Sequence, residues 1–159
     1  MGGKVIETLC SSPILTAVFG GDELRLLASC GRVREYKPGE TIARPEDERV
    51  FVLHSGRVSL LLRVFSDGGR CGGEAEVELD KPGEVFGWGA WVKPERISTA
   101  ASALDAVSVA ALDLKRLHVP ELNWRLRSRM LQILYGWLQE CGLCPPNISA
   151  LLGLGHVLA

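Results

Sequence analysis

Two copies of one tetrapeptide, Lys37-Pro38-Gly39-Glu40 and Lys81-Pro82-Gly83-Glu84, punctuate the middle of this chain. Proline fixes φ near −65° and glycine accepts positive φ without steric cost, so each copy is a tight-turn signal. Between such turns the apolar residues come only in short runs. Val50-Phe51-Val52-Leu53 is closed by Ser55-Gly56 and Val58 to Phe65 resumes at once, which reads as a hairpin. Ser66-Asp67-Gly68-Gly69 and Gly72-Gly73 read as a flexible tip. Glu74-Ala75-Glu76-Val77-Glu78-Leu79 alternates strictly, placing Ala75, Val77 and Leu79 inward and the three glutamates outward. Ala106 to Leu112 is a further β-rich run. Such punctuation predicts about eight short strands in a closed or nearly closed antiparallel β-roll, a double-stranded β-helix or jelly roll with room for a ligand.

Helical patterns flank the strands. Pro13 to Arg32 predicts two short helices broken at Gly20-Gly21, with Asp22 as N-cap of the second. After Leu114 the period becomes helical. Leu122, Leu126, Met130, Ile133 and Trp137 form one stripe, and Leu131, Leu134 and Leu138 a second. One stripe can cover the barrel. The other predicts a homodimer, with Leu126, Met130, Ile133, Leu134 and Trp137 on the dimer helix. Cys141-Gly142-Leu143-Cys144-Pro145-Pro146 stops that helix. The expected organisation is one domain over residues 1–140 and a short tail over 141–159.

Composition narrows the function classes. No apolar run approaches the roughly 18 residues of a membrane span, and no basic start leads into an apolar stretch, so a cytoplasmic protein is expected. A formal net charge of −1 speaks against general nucleic-acid binding. Lys115, Arg116, Arg125, Arg127 and Arg129 read as the wet face and ends of the long helix. The five cysteines lack the density of a disulfide scaffold and read as reduced thiols. Cys141 and Cys144 admit three readings: ordinary helix-end cysteines, a redox switch, or, paired across a dimer, four thiolates for structural zinc. His54, His118 and His156 are scattered, so the ligand cluster of a metal-dependent β-roll enzyme is missing. No Ser-His-Asp set or carboxylate pair stands out, and no enzyme activity is expected.

The order of landmarks is more specific than any one of them. Tyr36-Lys37-Pro38-Gly39-Glu40, then Val50 to Val58 with Ser55-Gly56 inside it, then Pro82-Gly83-Glu84-Val85-Phe86-Gly87, resembles the cyclic-nucleotide-binding domain of catabolite-activator-like regulators over about residues 13–140. The resemblance implies a sensor module whose ligand sits in a phosphate-binding cassette, here Phe86, Gly87, Trp88, Gly89, Ala90 and Trp91, followed by Arg96, Ser98 and Thr99. Gly87 and Gly89 would let backbone amides approach an anion. The family's ribose-binding glutamate is replaced by Trp88. Aligned back from Ser98-Thr99 without a gap, Ile97 takes the place of its phosphate-binding arginine and Arg96 falls one residue early, whereas a one-residue gap between Lys93 and Arg96 lets Arg96 reach the pocket from the loop. Trp88 and Trp91 either stack on a flat ligand or fill the barrel as core. The expected effector is a cyclic nucleotide or another small anion, with no tightly held cofactor, and the output passes to a partner protein. A degenerate, ligand-free dimerisation or docking scaffold is the alternative. Transcriptional members carry a helix-turn-helix domain of roughly 60 residues after this helix. Only the residues after Glu140 remain here, so direct DNA binding is not expected.

Overall fold

The computed structural model describes residues 2–65, 71–87 and 97–143. Three N-terminal helices, α1 (Gly2–Cys10), α2 (Pro13–Thr16) and α3 (Gly21–Ala28), precede eight strands. These are β1 (Gly31–Tyr36), β2 (Thr41–Ala43), β3 (Val50–Ser55), β4 (Val58–Phe65), β5 (Cys71–Leu79), β6 (Val85–Phe86), β7 (Ile97–Ala103) and β8 (Val107–Leu112). A 3₁₀ turn at Leu114–Arg116 leads into the long helix α4 (Pro120–Glu140). The strands form two four-stranded sheets, ordered β1-β8-β3-β6 and β2-β7-β4-β5, and every pairing is antiparallel. This is the expected β-roll with flanking helices.

The two Lys-Pro-Gly-Glu copies close identical turns. In each, the glutamate amide donates to the lysine carbonyl, at 3.0 Å for Glu40 and 3.2 Å for Glu84. Each glutamate carboxylate in turn accepts from the lysine amide, at 2.6 Å and 3.2 Å. Gly39 and Gly83 carry φ of 87° and 93°, the conformation that type II turns require after proline. The second turn is also clamped by α2: the Ser12 hydroxyl donates to the Gly83 carbonyl at 2.5 Å and accepts from Leu15 N–H at 3.3 Å.

The expected hairpin between Val50–Leu53 and Val58–Phe65 does not form. β3 pairs with β8 and β6, whereas β4 pairs with β5 and β7 in the other sheet. Gly56 adopts φ of 99° and packs where a Cβ would meet the Ala106 carbonyl at 2.3 Å. Arg57 N–H is held at 2.8 Å by Asp105. The connection therefore crosses between sheets. The reason was present in the run itself, since Val50, Phe51, Val52 and Leu53 are all buried and need cover on both faces. That cover comes from the roll interior on one side and the helices on the other.

Three smaller expectations change. α1 was not anticipated, although Val5 and Leu9 lie four residues apart and are fully buried. The N-cap of α3 is Gly20, not Asp22, because the Glu23 carboxylate reaches back to Gly20 N–H at 3.0 Å. Gly72 and Gly73 belong to β5 and not to a tip, and at Gly73 a Cβ would meet the Leu143 side chain at 2.4 Å. The tip at residues 66–70 lies outside the described residues. The alternation of β5 is as expected, with Glu74, Glu76 and Glu78 exposed and Leu79 buried.

Helix α4 buries more of its apolar surface within the chain than expected. Leu122, Leu126, Met130, Leu131, Leu134 and Leu138 are all buried within the chain, so the second stripe and most of the first are covered without a second copy. The N-terminal helices supply part of that cover. The Arg125 guanidinium pairs with Glu23, donates to the Val18 carbonyl and lies 4.9 Å from the Phe19 ring centroid. Of the five residues assigned to a dimer face, only Ile133 and Trp137 remain half-buried. Truncating Leu134 to alanine should cost about 2–5 kcal/mol by opening a cavity, read as a lower urea midpoint at unchanged slope. A loss below about 1 kcal/mol would show that α4 is not part of the core.

Candidate functional site

The cassette begins where β6 ends. Val85 and Phe86 pair with Val52 and Phe51 of β3, and the rings of Phe51 and Phe86 stack at 5.3 Å with 16° between planes. Gly87 follows with φ of 99°. A Cβ there would sit 2.7 Å from the Arg49 carbonyl and 3.0 Å from the Phe51 ring, so backbone and ring close on this residue from one side. From Gly87 the chain passes through residues 88–96 to Ile97, the first residue of β7. Trp88, Gly89, Ala90, Trp91 and Arg96 lie outside the described residues.

Strand β7 sorts the other expected contacts. Its burial alternates, with Ile97, Thr99, Ala101 and Ala103 buried and Ser98, Ala100 and Ser102 half-buried. Thr99 lines a cleft with Gly87, Phe86 and Leu60. Ser98 is not among the residues that line it. Phe86 borders the cleft yet is fully buried, spending its surface on Phe51.

Two charged residues that sequence reading did not single out also line this cleft, Arg44 and Asp47. Arg44 is exposed at the end of β2. Asp47 is fixed by Arg49 in a two-point contact, Nε to Oδ1 at 3.1 Å and Nη2 to Oδ2 at 2.8 Å, while Arg49 N–H donates to Oδ1 at 3.0 Å. The Arg49 guanidinium lies 5.1 Å from the Phe51 ring centroid, so its position is set from two sides. No periodic or motif signal marks Arg44. It enters the site because β2 pairs with β7, which carries Thr99.

The remaining candidates disperse. Lys115 pairs with Glu48 and Arg125 with Glu23, so the basic residues after Leu114 do not form one face. His54 Nδ1 is 3.1 Å from the Thr8 hydroxyl, and His118 is exposed. Among the described residues no group of His, Cys, Asp or Glu is placed to hold a metal. Cys141 is a half-buried free thiol, and Cys144 and His156 lie outside the described residues. No helix among the described residues is long and apolar enough to cross a membrane.

A two-sheet antiparallel roll whose short β6 leads into a positive-φ glycine, with helices at both ends, defines a β-roll domain. Comparison with known proteins makes the class specific. Residues 33–118 match the model of the cyclic nucleotide-binding domain, more than half of the chain. This protein belongs to the cyclic nucleotide-binding domain family. Its fold is similar to a cyclic nucleotide-binding domain from Methylobacillus flagellatus (TM-score 0.64, 18% identity, covering 87% of this chain and 80% of that one). It is also similar to the regulatory domain of Toxoplasma gondii PKA with cAMP (TM-score 0.58, 20% identity, 80% and 49%). A third similar structure is a guanosine-bound regulatory subunit of a cAMP-independent protein kinase A from Trypanosoma cruzi (TM-score 0.62, 18% identity, 98% and 51%). The chain spans about half the length of these kinase regulatory chains. No curated protein matches its sequence.

The Asp47 carboxyl gives a pH signature. Burial raises its pKa, but hydrogen bonds from the Arg49 side chain and backbone, with the charges of Arg49 and Arg34, bring it below its ordinary value of 3.8. A carboxyl with a lower pKa folded than unfolded adds stability above its unfolded pKa and loses it as pH falls through the folded one. Asp47→Asn should therefore lower Tm at pH 7, and its penalty should fade as the pH drops from about 4 toward 2. A penalty unchanged over that range would remove the ion pair from the account.

Proposed function

We propose that this domain is a regulatory ligand sensor with altered specificity, in which the cleft at Gly87 takes a small anionic or nucleoside-like effector. The observation that carries the reading is the approach of Gly87, Thr99 and Arg44 on one cleft of a family whose members bind cyclic nucleotides. Arg44, exposed at the rim of the cleft, supplies a positive charge beside the Arg96 expected after the cassette. Gly87 keeps the wall free of a side chain so that backbone can approach the ligand. Thr99 offers a hydroxyl that donates and accepts. The sugar-binding glutamate has no counterpart at Trp88, and the guanosine-bound Trypanosoma cruzi relative supports a search beyond cyclic phosphates. Output passes through α4, whose Arg125 is already tied to Glu23 and Val18 of the N-terminal helices, to a partner protein or a second copy meeting Ile133 and Trp137. A ligand moves α4 only if it favours one of two helix positions over the other.

A ligand-free scaffold is the second reading, and one observation favours it. The described walls of the cleft leave essentially no space for even a water-sized molecule, whereas drug-sized ligand pockets hold roughly 300–1,000 Å³.

Melting curves against cAMP, cGMP, guanosine and nucleoside monophosphates separate the two. A ligand at a hundredfold its Kd stabilises by about 2.7 kcal/mol and raises Tm by several degrees. That rise should be lost in Arg44→Ala, with the apo Tm held within a few degrees because Arg44 is exposed. No rise with any of the compounds would leave the scaffold reading standing.

A further inference from the structure

A second cleft lies at the edge of the first sheet, beside the one at Gly87. Arg32 and Arg34 stand two residues apart on β1, so the pleat aims both to one face, and both are exposed. Their register partners on β8 are Ala111 and Val109, and Ala111 in turn pairs with Phe51, so these residues share the face that carries Phe51. Arg49, placed just before β3, leans over the Phe51 ring from that side. Arg116 arrives from the 3₁₀ turn after β8. These four arginines, with Asp113, Cys30 and Ala111, line one concavity of about 250 Å³.

The charge there is unlike the chain as a whole, which carries −1. Against four guanidinium groups stand Asp113, which caps the 3₁₀ turn through Lys115 N–H, and Asp47, which holds Arg49. The side chains of Arg32 and Arg116 make no hydrogen bond or ion pair among the described residues. Like charges gathered in a concave wall repel one another and lower the potential energy of any anion that enters. The planar fork of arginine matches two oxygens of a phosphate or carboxylate at once. Arg49 is already oriented by Asp47 and Phe51, so at least one donor is organised before a ligand arrives.

We propose that this cleft is a second anion site, built to hold a compact soluble molecule carrying two or more adjacent phosphate charges. It shares no lining residue with the cleft at Gly87 and does not depend on that cleft being occupied. The concave shape favours a small ligand. A flat polyanion surface would meet arginines spread over one exposed face instead.

Isothermal titration of the full chain with pyrophosphate, at constant ionic strength and with chloride and sulfate as controls, tests the site. One saturable event per chain is expected, weakened about tenfold in Arg32→Ala and in Arg34→Ala and similarly in Arg116→Ala, which alters a different element. These side chains are exposed, so the variants should melt within a few degrees of the parent. Arg25→Ala removes one exposed positive charge paired with Asp22 on α3 and controls for net charge, and it should bind like the parent. Absence of saturation, equal weakening in Arg25→Ala, or loss confined to Arg44→Ala would each overturn the proposal. The last would move the anion to the cleft at Gly87.

Discussion

Covering the first sheet on both faces is the constraint from which the other features follow. Strands β3 and β8 are buried along almost their whole length, so each needs apolar partners above and below. Inside the roll, Phe51, Leu53 and Val109 face the second sheet. Outside, Val5 of α1 and Leu112 close on Gly31 so tightly that a Cβ there would lie 2.9 Å and 2.7 Å from them. Helix α1 is thus a structural lid on the sheet. Ser12 and Gly83 tie the next helix to the turn that launches β6, and Arg125 ties α4 to Phe19 and Glu23. A change in the position of α4 therefore meets resistance from a partly buried ion pair and a ring contact, not from solvent-exposed charges of little worth.

The same packing decides where chemistry can occur. Because β6 is only two residues long and ends against Arg49 and Phe51, the chain must leave the sheet at Gly87 with a positive φ. That exit places backbone, and not a side chain, at the mouth of the cleft. Asp47 then stands at the junction of the two clefts, lining the one at Gly87 while binding the arginine that lines the other. The cleft at Gly87 takes its charge from Arg44 and Asp47 in the segment after β2, whereas the second cleft collects its charge from β1 and the segments flanking β3 and β8.

Local signals in the chain were legible to the extent that their physics is local. The two Lys-Pro-Gly-Glu turns, the alternation of β5 and the long helix follow from φ preferences and from residue periods of two and 3.6, which need no distant partner. The pairing of β3 was not legible, because Ser55-Gly56 permits either a fold-back or a crossing and only the distant contact with Ala106 and Val107 selects the crossing. The burial of Leu126, Met130 and Leu134 within the chain was missed for a similar reason. Counting apolar residues gives the area to be covered and does not say which surface covers it. Within the cassette, the family pattern pointed to Phe86, Gly87 and Thr99, while Arg44 stayed hidden because it lies far away in sequence.

The amino-acid sequence alone determined the class of fold, the positions of its turns, the order of its family landmarks and the loss of a carboxylate at Trp88. Tertiary structure decided which strands share a sheet, which face of β7 looks inward, what covers α4 and which arginines gather. The division has a physical basis. Turn and period preferences are set by sterics within a few residues, whereas register, burial and charge clustering depend on contacts between segments that the chain order leaves free.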